Sequence, residues 1–473
     1  MLRRLTLAFA IAATLPAWAT DAAPGAVSNL LDVYRDAVAH DAELAAAQAD
    51  YLARREALPQ ARAALLPNLS AGARLSDSHS RIDSPAASRS RSALVYQASL
   101  SQPLFRAERW FALQAAAALG EQAALEFSAA QQALILRSAE AYFAVLRSQD
   151  NLAASRAEEA ALQRQLEQAR ERFAVGLADN TDRLDAQAAF DGAQADRLGT
   201  ERQLADALQA LYSLTERDHA HLAGIRHDLP ILAPSPADAQ SWVDTAVRQN
   251  LDLQASQFAV GAAEEQLRQR KAGHAPTLDA VADYQRGDND GIGFVNSGQS
   301  GLPRYSGPAE QSSIGLQLNI PLYSGGLTQA QVREGQQRLL QREHQRERLR
   351  RQVVQDTRNL HRAIHTDVAQ IAARRQGILS SRSALEATEL GYQLGSRNAV
   401  DVINAQRQLY ARVRDYNNAR YDYILDTLRL KRTAGTLSPA DLQALTGFLD
   451  SGYDPQRDFL PADLASGPDT ARQ

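Results

Sequence analysis

Carboxylates are the chemically capable groups that recur at a fixed spacing in this chain. Asp182 and Asp401 each lie six residues after a glycine, Gly176 and Gly395, and each glycine lies three after an aromatic residue, Phe173 and Tyr392. The three pairs are each 219 residues apart, so ERFAVGLADNTDRLDAQ (Glu171 to Gln187) and LGYQLGSRNAVDVINAQ (Leu390 to Gln406) are two versions of one helix-to-helix turn. A carboxylate there can accept hydrogen bonds, attract cations, or complement the positive start of the returning helix. Nothing near it resembles a catalytic dyad, since acidic residues on coiled-coil faces normally form solvated pairs.

Other candidate chemistry falls away. His361 and His365 are four apart on a helix and could share a metal, but there is no third ligand and no HExxH. Asp288 and Asp290 in GDNDG imitate part of a calcium loop, yet Arg286 breaks the register and no glutamate closes it. There is no GxxxxGK[ST], no GxSxG and no dinucleotide fingerprint. The chain has no cysteine, which removes disulfides, thiolate metal sites, cysteine nucleophiles and an N-terminal lipidated cysteine. A net charge of −4 supplies no basic field for nucleic acid. The expectation is a protein that is not an enzyme and holds no cofactor or metal.

The elements that position the turns are also duplicated. From Ser28 to about Leu58 apolar residues recur every seven positions (Leu30, Ala37, Leu44, Tyr51, Leu58), as in a helix with a coiled-coil seam. Ala246, Leu253, Val260 and Leu267 repeat this 209 residues later, and Pro67 and Pro276 end the two helices at the same offset. After each proline the period falls to two. Leu69, Ala71, Ala73 and Leu75, then Leu94, Tyr96, Ala98 and Leu100, alternate with small polar residues; so do Leu278, Ala280, Ala282 and Tyr284, then Ile314, Leu316, Leu318 and Ile320. These predict four strands in two hairpins, each about the 9–11 residues that cross a bilayer, with solvated loops at Asp77 to Arg91 and Gly287 to Gln311. Pro103 and Pro321 close the even strands, and long helices follow. The first spans Glu108 to Ala174, on the order of 100 Å. Sustained seven-residue spacing (Ile364, Ile371, Ile378, Leu385, Tyr392; Val402, Leu409, Tyr416, Tyr423, Leu430) implies supercoiled antiparallel pairs.

Met1 to Ala19, with Arg3 and Arg4, an apolar run and Ala17-Trp18-Ala19, reads as a secretory signal peptide rather than a membrane anchor, for which the run is too short. No later apolar run is long enough to span as a helix, so a membrane role must use strands. Four strands with apolar faces cannot keep open edges in lipid and must close on further copies; the alternative is a soluble sheet packed on the helices.

The pattern resembles the TolC-type outer-membrane efflux proteins, and most closely their TolC branch. It carries LPNL and APTL before the odd strands, QPLF and IPLYSGG after the even ones, the turns RFAVGLADNTD and YQLGSRNAVDV, and NARYDYILDTLRLKRTAGTLSPADLQAL near the end. It covers Asn29 to Leu449. The resemblance implies a mainly α fold with a membrane β-barrel portion: a homotrimer forming a 12-stranded barrel and a 12-helix periplasmic cylinder. It implies an outer-membrane exit duct of a tripartite efflux pump or type I secretion system, in contact with outer-membrane lipid. A periplasmic adaptor (membrane fusion protein) and an inner-membrane pump of the RND, ABC or MFS class would be its partners. The competing readings are a periplasmic coiled-coil adaptor, which needs one helical hairpin and a lipoyl-like β domain, and a porin-like diffusion channel, which needs many more strands.

The resemblance also implies roles at the turns. Tyr392 and Arg397 match positions that hold the inner helical hairpin to the outer one, with Thr181 and Asp182 as acceptors. Asp401 matches a ring of aspartates narrowing the periplasmic entrance. Asn404 departs from a pattern with a second acidic residue there, which implies weaker block by polyvalent cations. Helix capping stays open as the plain role of both aspartates. The expected division is a signal peptide over 1–19, a first repeat over 20–214 (β-hairpin about 66–103, tip about 174–182), and a linker over 215–238. A second repeat over 239–432 follows (β-hairpin about 276–321, tip about 393–401), then a C-terminal segment over 433–473 that becomes disordered after about Gly452.

Overall fold

The computed structural model describes residues 27–83, 86–176, 179–219, 221–288 and 308–465. The expected signal peptide and residues 289–307 of the second strand loop lie outside them. The chain runs α1 (Leu30–His40), α2 (Ala42–Arg55), α3 (Ala57–Ala63), β1 (Asn68–Asp83), β2 (Ala86–Phe105), α4 (Ala107–Ala174), α5 (Asn180–Thr215) and β3 (Gly224–Ile225). It continues through α6 (Ala239–Gln249), α7 (Leu251–Ala272), β4 (Thr277–Asp288), β5 (Pro308–Asn319), α8 (Leu327–Gln393), α9 (Ala399–Thr433), α10 (Pro439–Thr446), β6 (Leu449–Asp450), α11 (Pro455–Asp458) and α12 (Ala462–Ala465).

The first helix of each copy, expected as one rod, is broken. Asp41 and Asn250, themselves 209 apart, adopt extended backbone, end α1 and α6, and cap the next helix. Asp41 accepts from Leu44 N at 2.8 Å and Asn250 from Leu253 N at 2.9 Å. A side chain that satisfies the orphan amides of a new helix makes the break stable. The heptad seam persists because α1 and α2 both lie on α4, while α7 fills the space between α4 and α8.

Both hairpins join one antiparallel sheet in the order β1-β2-β4-β5. Its register aligns the period-two pattern across all four strands. Leu69, Leu100, Ala282 and Ile314 form a row on one face; Ser70, Ser99, Asp283 and Ser313, and Gly72, Gln97, Gln285 and Gln311, form rows on the other. The apolar face is bare in the single chain, with Ile314 89% and Leu69 74% exposed. The strands are longer than expected. β1 and β2 pair out to Asp83 and Ala86 through the segment expected as a loop, because ladder hydrogen bonds need backbone only and tolerate Ser and Arg side chains. Pro103 does not end β2, which passes it on a bulge and closes at Phe105.

The main core lies midway along the helices. Ile135, Tyr142 and Leu146 of α4, Ile364, Ile371 and Ile378 of α8, and Val413, Tyr421 and Leu428 of α9 meet Leu222, Ile225 and Leu229 of the linker there. The C-terminal segment corrects another expectation. It is built into the fold through Ala465, because Tyr453 is anchored by a partly buried hydrogen bond and Leu464, 2% exposed, enters the core. Sparse apolar residues read as disorder in the sequence, yet two well-placed anchors suffice when the helices already supply a groove.

Candidate functional site

The descending helix of each hairpin stops in the same way. Gly176 and Gly395 both take φ +77°, the left-handed conformation that lets a helix stop without steric penalty. At the second turn Asn398 and Asp401 form a capping box: Asp401 N donates to Asn398 Oδ1 at 2.8 Å, and Asn398 N to Asp401 Oδ2 at 3.3 Å. Asp401 therefore caps α9, and Arg397 lies 3.9 Å from it. Asp182 sits in the first turn of α5 behind Asp179, whose side chain makes no capping bond. Thr181 and Asn404 are exposed.

Within one chain the structure brings Arg397 to Asp401 but records no bond from Tyr392 or Arg397 to Thr181 or Asp182 among the described residues. The Tyr392 hydroxyl is buried and has no hydrogen-bond partner among them, while the guanidinium of Arg172 on α4 lies 4.5 Å from its ring centroid. A buried phenol without a partner costs free energy until one is supplied.

Above the tips α9 runs antiparallel against α4 and is joined to it by a ladder of polar rungs. Arg429 donates to Glu140 at 2.7 Å, Arg147 to Asp422 at 2.5 Å, Asn151 to Asn418 at 3.5 Å, and Arg414 to Glu158 at 2.7 Å. Seven residues along α4, from Glu140 to Arg147, match seven back along α9, from Arg429 to Asp422, which is the coiled-coil repeat written in charges. Nearer the tip the buried side chains of Gln165 and Gln406 each keep one atom, Nε2 and Oε1, without a partner among the described residues. Leu162, Leu166 and Ala169 of α4, Ala186, Ala189 and Ala193 of α5, and Ile403 of α9 pack into a second, smaller core beside them.

Where the linker crosses, Asp150 of α4 is 1% exposed and accepts from the hydroxyls of Tyr421 and Tyr453, each at 2.7 Å. Burial pushes its carboxyl up to about 6, against the pull of both phenols and Arg420. Arg420 is 2% exposed and donates to Arg226 O at 2.6 Å and to His227 Nδ1 at 2.8 Å. His227 must then be neutral, with its proton on Nε2 donated to Asp458 O at 2.8 Å; burial and the Arg420 charge hold its pKa down at about 4.

Sequence reasoning does not single out this cluster, although a signal is there. Asp150 lies four residues after Leu146 on the face that buries Ile135, Ala139 and Tyr142, and Arg420 lies midway between Tyr416 and Tyr423 on the core side of α9. A charge on an apolar stripe needs a partner, and the sequence does not say which. The His361 and His365 rings meet at a tilt of 56° with centroids 4.7 Å apart, and His361 bonds Ala237 O; among the described residues no group of three or more metal-ligating side chains forms.

The sequence model of one protein family, described as outer membrane efflux protein, matches residues 33–216 and 242–436. The chain is 36% identical over 416 residues to outer membrane protein TolC of Vibrio cholerae serotype O1, covering 88% of this chain and 92% of that protein. It is 29% identical over 437 residues to the alkaline protease secretion protein AprF of Pseudomonas aeruginosa, covering 91% and 89%. Its fold matches the crystal structure of the outer membrane protein VceC from Vibrio cholerae at a TM-score of 0.72 and 20% identity, covering 86% of this chain and 96% of that one.

Proposed function

This chain belongs to the outer membrane efflux protein family, and from that membership we propose how it works as an outer-membrane exit duct for efflux pumps and type I secretion. It resides in the outer membrane, reaches into the periplasm, and acts with a periplasmic adaptor and an inner-membrane pump. The family's members are channels, and this chain's part is to conduct, not to transform, what the pump delivers.

One observation carries the mechanism: the chain is an unfinished ring at every level. Its sheet has free edges at β1 and β5. Just below, α2 and α3 lead into the β1 edge and α8 leaves the β5 edge, so the helical array is open on the same two sides. Unpaired edges in hydrocarbon each cost several kcal/mol per lost hydrogen bond. An even number of antiparallel strands per chain lets β5 of one copy pair antiparallel with β1 of the next. Closure by three copies gives twelve strands, with Leu69, Leu100, Ala282 and Ile314 toward lipid and the serine and glutamine rows toward the lumen.

The two helical tips would then form the periplasmic entrance. Tyr392 and Arg397 on the inner hairpin act as a latch on Thr181 and Asp182 of the outer one, with Gly176 and Gly395 shaping the turns. The Tyr392 hydroxyl, without a partner among the described residues of one chain, supports this reading, because a neighbouring copy can supply its acceptor. Threefold symmetry would gather three Asp401 carboxylates about one axis, with Asn404 one turn further on.

The test is planar-bilayer recording of the purified oligomer. Wild type should conduct poorly at rest, and Tyr392→Phe with Arg397→Ser should raise conductance. Unchanged conductance would remove the latch; a monomeric native mass, or absence from the outer-membrane fraction, would remove the duct.

A further inference from the structure

We propose that residues 449–465 are a strap that fastens the α8–α9 hairpin to α4, so that the hairpin tip can swing away from α4 only when the strap yields. The strap begins at the β3–β6 ribbon, where Gly224 and Ile225 pair with Asp450 and Leu449. The Tyr453 ring lies so close over Gly224 that a Cβ there would collide with it, and the Tyr453 hydroxyl reaches Asp150 of α4 at 2.7 Å. The chain then crosses to α9, where the buried Asn417 donates from Nδ2 to Phe459 O at 2.7 Å, and the His227 ring ties Asp458 O to Arg420. It ends on α8: Arg375 pairs with Asp463, Arg382 Nη1 donates to Leu464 O at 2.7 Å, and Leu464 is buried.

The direction of travel gives the strap its leverage. Asp150 stands about 36 Å along α4 from Ala174, whereas Arg382 stands only about 16 Å along α8 from Gln393, at 1.5 Å per residue. The segment thus descends from the middle of the outer hairpin to the lower part of the inner one. It links the same two helices, α4 and α9, that the Arg414–Glu158 rung joins. Its attachments to α9 and α8 are largely through its own backbone carbonyls, so they depend on the segment lying in place and not on its side-chain types.

The strap's link to conduction rests on the proposed entrance at the tips, whereas its fastening of the hairpin does not. Two substitutions separate these in the full-length oligomer: Arg382→Ala, which removes the bond to Leu464 O (and the Glu386 pair within α8) but leaves Arg375–Asp463 and the buried cluster in place, and Tyr453→Phe, which removes the hydrogen bond to Asp150 of α4. Peptide-resolved hydrogen exchange reads residues 383–393 and 399–412, beyond the strap's last contact. The expected result is exchange about fivefold faster there in Arg382→Ala, and at least as fast in the double variant, because a bond worth a small multiple of RT is lost from the closed arrangement. Faster exchange together with higher bilayer conductance supports both the strap and the entrance. Faster exchange at unchanged conductance supports the strap and counts against the entrance at these tips. Exchange that rises only within 449–465, or nowhere, overturns the strap.

Discussion

Arg414 of α9 donates to Glu158 of α4 at 2.7 Å, and the Glu158 carboxylate, 6% exposed, has Arg407, at 4.0 Å, as a further and more distant cation. This pair of a buried carboxylate and a partly exposed guanidinium joins the two helical hairpins. Arg414→Ala leaves the buried carboxylate with only Arg407, at 4.0 Å, and should lower stability by about 1–2 kcal/mol. Removing both groups, Glu158→Ala with Arg414→Ala, should cost less than Arg414→Ala alone, since no orphaned charge remains. A double-mutant cycle of thermal midpoints decides this; strictly additive losses would mean that the pair does not interact.

The turn glycines give a prediction with a built-in opposite. Gly395→Ala and Gly176→Ala place a side chain at φ +77° and should each destabilise by about 1 kcal/mol. Gly377 lies inside α8 with open space where a methyl group would sit, and should instead gain up to about 1 kcal/mol on substitution by alanine. Calorimetry of the three variants should show two midpoints moving down and one moving up.

Asp150 sets a pH dependence whose sign is opposite to that of ordinary paired carboxylates. Its folded pKa, about 6, lies above the 3.8 of an unperturbed aspartate, so the folded protein holds the proton more tightly. The groups facing it are Tyr421, Tyr453 and Arg420, with His227 behind the arginine. The stability it contributes is full below about pH 4 and is lost as pH rises through about 6, by up to about 3 kcal/mol. Asp150→Asn should therefore abolish a stabilisation that wild type shows on moving from pH 7 to pH 5. Parallel midpoint-versus-pH curves for the two proteins would refute it.

At the proposed entrance, Asn404→Asp should add a second acidic ring to that of Asp401 and tighten block by polyvalent cations. Carboxylates held near a common axis attract such ions jointly. Titration of single-channel current with a trivalent cation measures it; equal block before and after substitution would take Asp401 and Asn404 out of the constriction.

What is legible in the sequence varies with the range of the interaction. The duplicated turns, the four alternating strands and the long helices are readable because periods of seven and two report directly which side of a helix or strand is buried. The breaks at Asp41 and Asn250 are visible as residue types but not as events, since the same residues sit inside continuous helices elsewhere. The first strand loop departs from expectation because serine and arginine signal a turn only when no partner strand holds them in register.

Asp150 and Arg420 show the limit at the site. Each stands out as a charge on an apolar stripe, but they lie 270 residues apart in sequence, and the phenols that share Asp150 come from α9 and from the C-terminal strap.

By itself the sequence determined the architecture and the family: repeat length, strand polarity, helix length and turn chemistry are local or periodic, and local patterns survive without coordinates. Only the tertiary structure decided which charges meet across α4 and α9, that the Tyr392 hydroxyl finds no partner among the described residues of one chain, and that a stretch poor in apolar residues lies across three helices. Those outcomes depend on which distant groups a packed interior brings within hydrogen-bonding distance, and burial then multiplies the value of each such contact.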